Sequence, residues 1–105
     1  MPRRKKYCWV SAKHLHYGQS SCAGTFHDGI SVHAHSRYTN AVIQVVRDSN
    51  GNLITANNRM LLNQRDIHNR RRVKIQIRDD NRRIRSMVLG RKNGDGKHIR
   101  VRGSS

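Results

Sequence analysis

Val73, Ile75 and Ile77 alternate with Lys74, Gln76 and Arg78, the two-residue period of a strand with one buried and one solvated face. Strand-like runs recur on both sides of this segment. Residues 41–47 (Ala-Val-Ile-Gln-Val-Val-Arg) are rich in β-branched side chains, residues 52–56 (Asn-Leu-Ile-Thr-Ala) resume the pattern, and Asp48-Ser-Asn-Gly51 lies between them. Asn-Gly between two such runs predicts a hairpin, because glycine takes the positive φ that the turn needs. Downstream, Asp79-Asp-Asn81 predicts a turn, and residues 83–89 predict a returning strand with Ile84 and Val88 on one side and Arg85 on the other. Asn93-Gly-Asp-Gly96 predicts a further turn, after which Ile99 and Val101 alternate with His98, Arg100 and Arg102 in a last strand.

The remaining segments are less periodic. Residues 59–69 carry Met60, Leu61, Leu62 and Ile67 on an incomplete apolar face, which predicts one short helix. Residues 7–10 (Tyr-Cys-Trp-Val) predict a strand and residues 18–29 a loop. The expected fold class is mostly β with one short helix near 59–69, arranged as a small antiparallel meander or barrel. A single domain is expected over 7–102, between a flexible basic arm at 1–6 and a flexible tail at 103–105.

Composition limits the core. A chain of 105 residues with 34% hydrophobic and 5% aromatic residues buries only a thin one. No apolar run approaches the roughly 20 residues of a membrane-spanning helix. The basic start, Met1-Pro-Arg-Arg-Lys-Lys6, is not followed by an apolar stretch of signal-peptide length. The expected setting is the cytoplasm or the interior of a nucleoprotein particle or virion, with no membrane partner. In that setting Cys8 and Cys22 are expected as unpaired, reduced thiols.

Charge changes the picture most. There are 22 Lys and Arg against six Asp and no Glu, a net +16, and 16 of the cations are Arg. Such an excess destabilises a compact state by self-repulsion, and a polyanion relieves it while releasing condensed counterions. A guanidinium also matches phosphate oxygens in pairs and stacks on bases, which an ammonium does not. The expected partner is therefore nucleic acid, RNA or DNA, held mainly through phosphate. If Val73, Ile75, Ile77, Ile84, Val88, Ile99 and Val101 face inward, Lys74, Arg78, Arg85, Arg100 and Arg102 share an outer face over three strands. Arg70, Arg71 and Arg72 add a cluster at a strand end, and Arg3, Arg4, Lys5 and Lys6 add the basic arm.

All five aromatics, Tyr7, Trp9, Tyr17, Phe26 and Tyr38, fall in the first 38 residues, outside the Arg-rich strands. That separation favours phosphate contacts to a structured or double-stranded nucleic acid over base stacking. Trp9, close to the basic arm, is the best exception.

Histidine and cysteine carry two further chemistries. Cys8, Cys22, His33 and His35 supply enough N and S ligands for a tetrahedral zinc, though at no standard finger spacing. His14 and His27, with Lys13 or Arg37 as the cation, fit metal-free RNA cleavage: one imidazole deprotonates the 2′-hydroxyl and the other protonates the leaving oxygen. Lys13-His-Leu-His-Tyr-Gly18 followed by Gly24-Thr-Phe-His27 is similar to the two-histidine stretch of bacterial EndoU-type ribonucleases. The similarity covers about fifteen residues, and residues 57–64 lack the Lys and Ser/Thr of that family's downstream motif. Six Asp and no Glu give little support to two-metal catalysis, and no cofactor is implied. Three readings follow: a nucleic-acid binder of a ribonucleoprotein, a viral or phage particle or a phage–host factor; a histidine ribonuclease; or a capsid-like structural subunit that forms a homo-oligomer or larger assembly.

Overall fold

The computed structural model describes residues 7–26, 28–33, 41–91 and 96–102. The expected basic arm and tail, and with them Arg3, Arg4, Lys5 and Lys6, lie outside the described residues, as do His27, His35, Arg37 and Tyr38.

The hairpin forms where Asn50-Gly51 predicts it, joining β4 (Ile43–Arg47) to β5 (Leu53–Thr55). Asp48 organises the turn: its carboxylate accepts the backbone N–H groups of Asn50 and Asn52, each at 2.9 Å, and Gly51 takes a φ of +81°. β6 (Arg72–Ile77) lies parallel to β4 on one side and antiparallel to β1 (Cys8–Ser11) on the other. With β2 (Leu15–His16) parallel to β5, the order is β1-β6-β4-β5-β2. This five-stranded sheet curls into a half-barrel, and because β4–β6 and β2–β5 are parallel its pairing is mixed rather than purely antiparallel. A second, two-stranded sheet joins β3 (Ser21–Ala23) in parallel to β7 (Arg100–Arg102). A strand thus stands inside the expected 18–29 loop.

The predicted helix begins as α1 (Asn58–Leu61) and continues in π-helical turns over Leu62–Ile67. Leu61, Leu62, Asn63 and Gln64 are all buried, so the turn is enclosed on every side. The wider turn closes with His68 N–H donating five residues back to the Asn63 carbonyl, and Asn69 ends it at a φ of +55°. The two buried amides are used structurally: Asn63 donates to the Val32 carbonyl at 2.7 Å and Gln64 to the Ala41 carbonyl at 2.8 Å.

The expected strand over 83–89 is instead helix α2 (Arg82–Arg91). Ile84 and Val88 are four residues apart, a spacing that fits both periods, but Leu89 packs on the same side as Val88, where strand alternation would turn it away. Asn81 caps the helix rather than merely turning the chain, its side-chain oxygen accepting the Ile84 N–H at 2.9 Å.

The sheet is packed on both faces, unequally. Leu15, Ile43, Val45, Val73 and Ile75 point inward with Tyr17, Cys22, Phe26 and Leu61 into the main core. On the outer face, α2 lays Ile84, Val88 and Leu89 over Val46 and Ile54. It packs against β4 and β5, and β1 lies at the far edge of the sheet. Ile77, expected inside, is 37% exposed at the end of β6.

Candidate nucleic-acid interface

Among residues whose side chains are described, no Lys or Arg is buried. The expected single face of three basic strands does not form, because residues 83–89 are helical and β7 belongs to the other sheet. Cations reach solvent from three elements instead. Arg72 and Lys74 alternate outward on β6, with Arg71 exposed just before it. Arg82, Arg83 and Arg85 are exposed on α2, and Arg100 and Arg102 on β7. Arg70 and Arg78 are half-buried beside β6, where their backbone N–H groups donate to the Gln64 and Val45 carbonyls.

Some cations are engaged in structure. Arg47 pairs with Asp79, and Arg65 pairs with Asp66 at 3.2 Å while donating to the Ala12 and Leu15 carbonyls. However the six acids are paired, they leave 16 of the 22 cations uncompensated.

The β1–β6 ladder sets the outer face of the sheet. Its register places Trp9 opposite Lys74 and Ser11 opposite Arg72. Directly opposed residues in an antiparallel pair share a face, and the same face continues through Gln76 and Gln44 to Val46 and Ile54. Trp9 is 50% and Tyr7 42% exposed, and the Lys74 ammonium lies 5.1 Å from the centroid of the Tyr7 ring. Aromatic side chains therefore do stand on the basic sheet, contrary to their separation in sequence. The proximity arises because β1 pairs with a strand more than sixty residues later, which no local pattern reveals.

The candidate catalytic pair His14 and His27 is not brought together within the described residues: His14 is exposed in the turn after β1, and His27 lies outside them. Two other histidines do meet one cleft. His16 and His98 line a cavity of about 620 Å³ with Lys13, Arg65, Asp66 and Lys97. Gly96 makes the junction, since a Cβ there would lie 3.0 Å from the His16 Cβ, and its carbonyl accepts the Tyr17 N–H at 2.6 Å. Asp66 is committed to Tyr17, whose hydroxyl donates to it.

The zinc set is not assembled. Cys8 is exposed on an edge strand of the large sheet, Cys22 is buried in the small one, His33 is exposed, and His35 lies outside the described residues. Among the described residues no three His, Cys or Asp converge as a metal would require. Both thiols are unpaired. Burial pushes the Cys22 thiol up, against the opposing charges of Arg59 and Arg102. Those residues line a second cleft of about 390 Å³ with Phe26 and Asn58.

No protein-family model, curated protein or solved structure matches the chain. No described helix is long and apolar enough to cross a membrane.

Proposed function

We propose that this protein binds nucleic acid, mainly through Arg and Lys contacts to phosphate. The observation that carries the reading is the exposure of uncompensated charge: a net +16, with no described Lys or Arg side chain withdrawn into the core. Folding does not require that excess, and self-repulsion opposes it, so a polyanion is the partner that lowers its free energy. Arg71, Arg72 and Lys74 at β6 are the first contacts, joined by Arg82, Arg83 and Arg85 on α2 and Arg100 and Arg102 on β7.

A second reading, histidine-based RNA cleavage, is favoured by the cleft that holds His16 and His98 among Lys13, Arg65 and Lys97. One imidazole would take the 2′-hydroxyl proton, the other would give a proton to the leaving 5′-oxygen, and a neighbouring cation would stabilise the charged phosphorane. Incubation with end-labelled RNA in EDTA separates the readings. A retarded but intact band supports binding alone. Cleavage that His16→Ala or His98→Ala abolishes supports the enzyme, and no retardation at low salt overturns the nucleic-acid reading altogether.

A further inference from the structure

Resting on the nucleic-acid reading, we infer that the β1–β6 end of the sheet, where Trp9 and Tyr7 are exposed, is a stacking platform for unpaired bases, with those two rings as the stacking groups and Lys74 and Arg72 as the phosphate contacts. The ligand is single-stranded nucleic acid.

The four described aromatics divide sharply. Tyr17 and Phe26 are 0% and 7% exposed and build the core, whereas Trp9 and Tyr7 are half outside it. Two large rings left in water in so apolar-poor a chain represent hydrophobic area the fold has not used. Tyr7 directly precedes β1, and residues two apart in extended chain share a face, so Tyr7 and Trp9 are spaced about 6.6 Å along the chain and can receive successive splayed bases.

The surroundings fit a strand of nucleotides and not an apolar partner. Among the described residues of β1 and β6, the charged side chains on this face are cations: Lys74 opposite Trp9 and against Tyr7, and Arg72 one pair further on, with Arg71 exposed just before β6. In sequence, Arg3, Arg4, Lys5 and Lys6 run directly into Tyr7. Gln44 and Gln76, neighbours across the β4–β6 ladder, place neutral amides that donate to and accept from base edges on the same face. β1 is an edge strand, so a nucleic-acid strand crosses the platform without meeting another element of the sheet. Bases paired inside a duplex cannot present their faces to such a surface, and stacking selects for unpaired ones without reading sequence.

Trp9 is the single tryptophan of the chain, so its fluorescence reports the platform directly. The full chain is titrated in EDTA with oligo(dT), oligo(rU) and a duplex, each of about 12 nucleotides or base pairs, within the range that one small domain covers. Single strands are expected to quench Trp9 and the duplex to leave it unchanged, and comparison of the dT and rU arms assigns DNA or RNA. Read by the anisotropy of a labelled oligonucleotide, Trp9→Ala and Tyr7→Ala are each expected to weaken single-strand binding about five- to tenfold, the lower part of the range for one base–aromatic stack, and to leave duplex binding unaltered. Trp9→Phe is expected to restore most of the loss. Both positions are exposed, so the far-ultraviolet circular dichroism of the variants is expected to match the parent.

Single-strand affinity that Trp9→Ala does not change overturns the platform and leaves the phosphate reading standing. Equal weakening of single strand and duplex also overturns it. Absence of any binding removes both. Concentration-dependent oligomers seen by light scattering without nucleic acid, and removed by Trp9→Ala, assign the face to a second copy of the chain and overturn the inference.

Discussion

Asp79 holds Arg47 at two points, its carboxylate accepting the Arg47 backbone N–H at 2.8 Å and the Arg47 Nε–H at 2.5 Å. Arg47 ends β4, and Asp79 lies two residues beyond β6, so the pair closes the parallel β4–β6 ladder where the chain turns toward α2. Burial opposes the charged carboxylate, but the hydrogen bonds and charge of Arg47, with the charge of Arg85, outweigh it and hold Asp79 below the ordinary carboxyl range.

Asp79→Ala is expected to cost about 1 kcal/mol at neutral pH, since it leaves the Arg47 N–H without its acceptor. The folded-state pKa is depressed, so this stabilisation is complete above the unfolded carboxyl value of about 3.9 and is lost as pH falls through the folded value. Urea denaturation at neutral pH and at about pH 3 checks both statements. The gap between parent and variant is expected to narrow on acidification. A constant gap contradicts the account.

Tyr17 behaves in the opposite sense. Its ring is fully buried, its hydroxyl donates to Asp66, and the Arg65 guanidinium lies 5.0 Å from the ring centroid. Burial foremost, then the Asp66 hydrogen bond and charge, raise the phenol well above its ordinary value, with Arg65 opposing. A raised folded-state value gives stabilisation that is complete below the unfolded phenol value of about 10 and is lost as pH rises toward the folded value. Tyr17→Phe is expected to be about 1 kcal/mol less stable at pH 7 and to lose less than the parent above about pH 10. Thermal melts across that range decide it.

Gly18 has no room for a side chain. A Cβ there would lie 2.8 Å from the Thr55 carbonyl oxygen, at the end of a central strand. Gly18→Ala is expected to destabilise by about 1–3 kcal/mol, because a backbone carbonyl cannot swing aside as a side chain can. Chemical denaturation measures it, and an unchanged midpoint contradicts the packing described.

Removal of the Asn81 cap tests the largest departure from the expected fold. Asn81→Ala is expected to cost about 1 kcal/mol and to lower helical circular dichroism through fraying of α2. A variant with undiminished helicity contradicts the assignment of Asn81 as the cap.

What the sequence made legible was local. The 43–55 hairpin, β6 and the helix at 58–67 rest on periods and turn residues read within a few positions of one another. α2 was misread because Ile84 and Val88 satisfy two periods at once, and Asn81 serves turns and caps alike. Contacts distant in sequence left no signal. β3 meets β7 across almost eighty residues, His16 meets His98, and Trp9 meets Lys74. The candidate interface was accordingly half visible: its cations were plain in the composition, and its aromatics were hidden by their distance along the chain.

The most direct test of the account is the equilibrium constant for single-stranded nucleic acid measured against salt. With about five phosphates neutralised, each contributing about 0.7 to the slope on a single strand, log K is expected to fall against log salt with a slope of about −3.5. Between about 50 and 200 mM salt that is a loss on the order of 100-fold. Affinity that does not change over the same interval contradicts the claim that exposed guanidinium and ammonium groups bind phosphate.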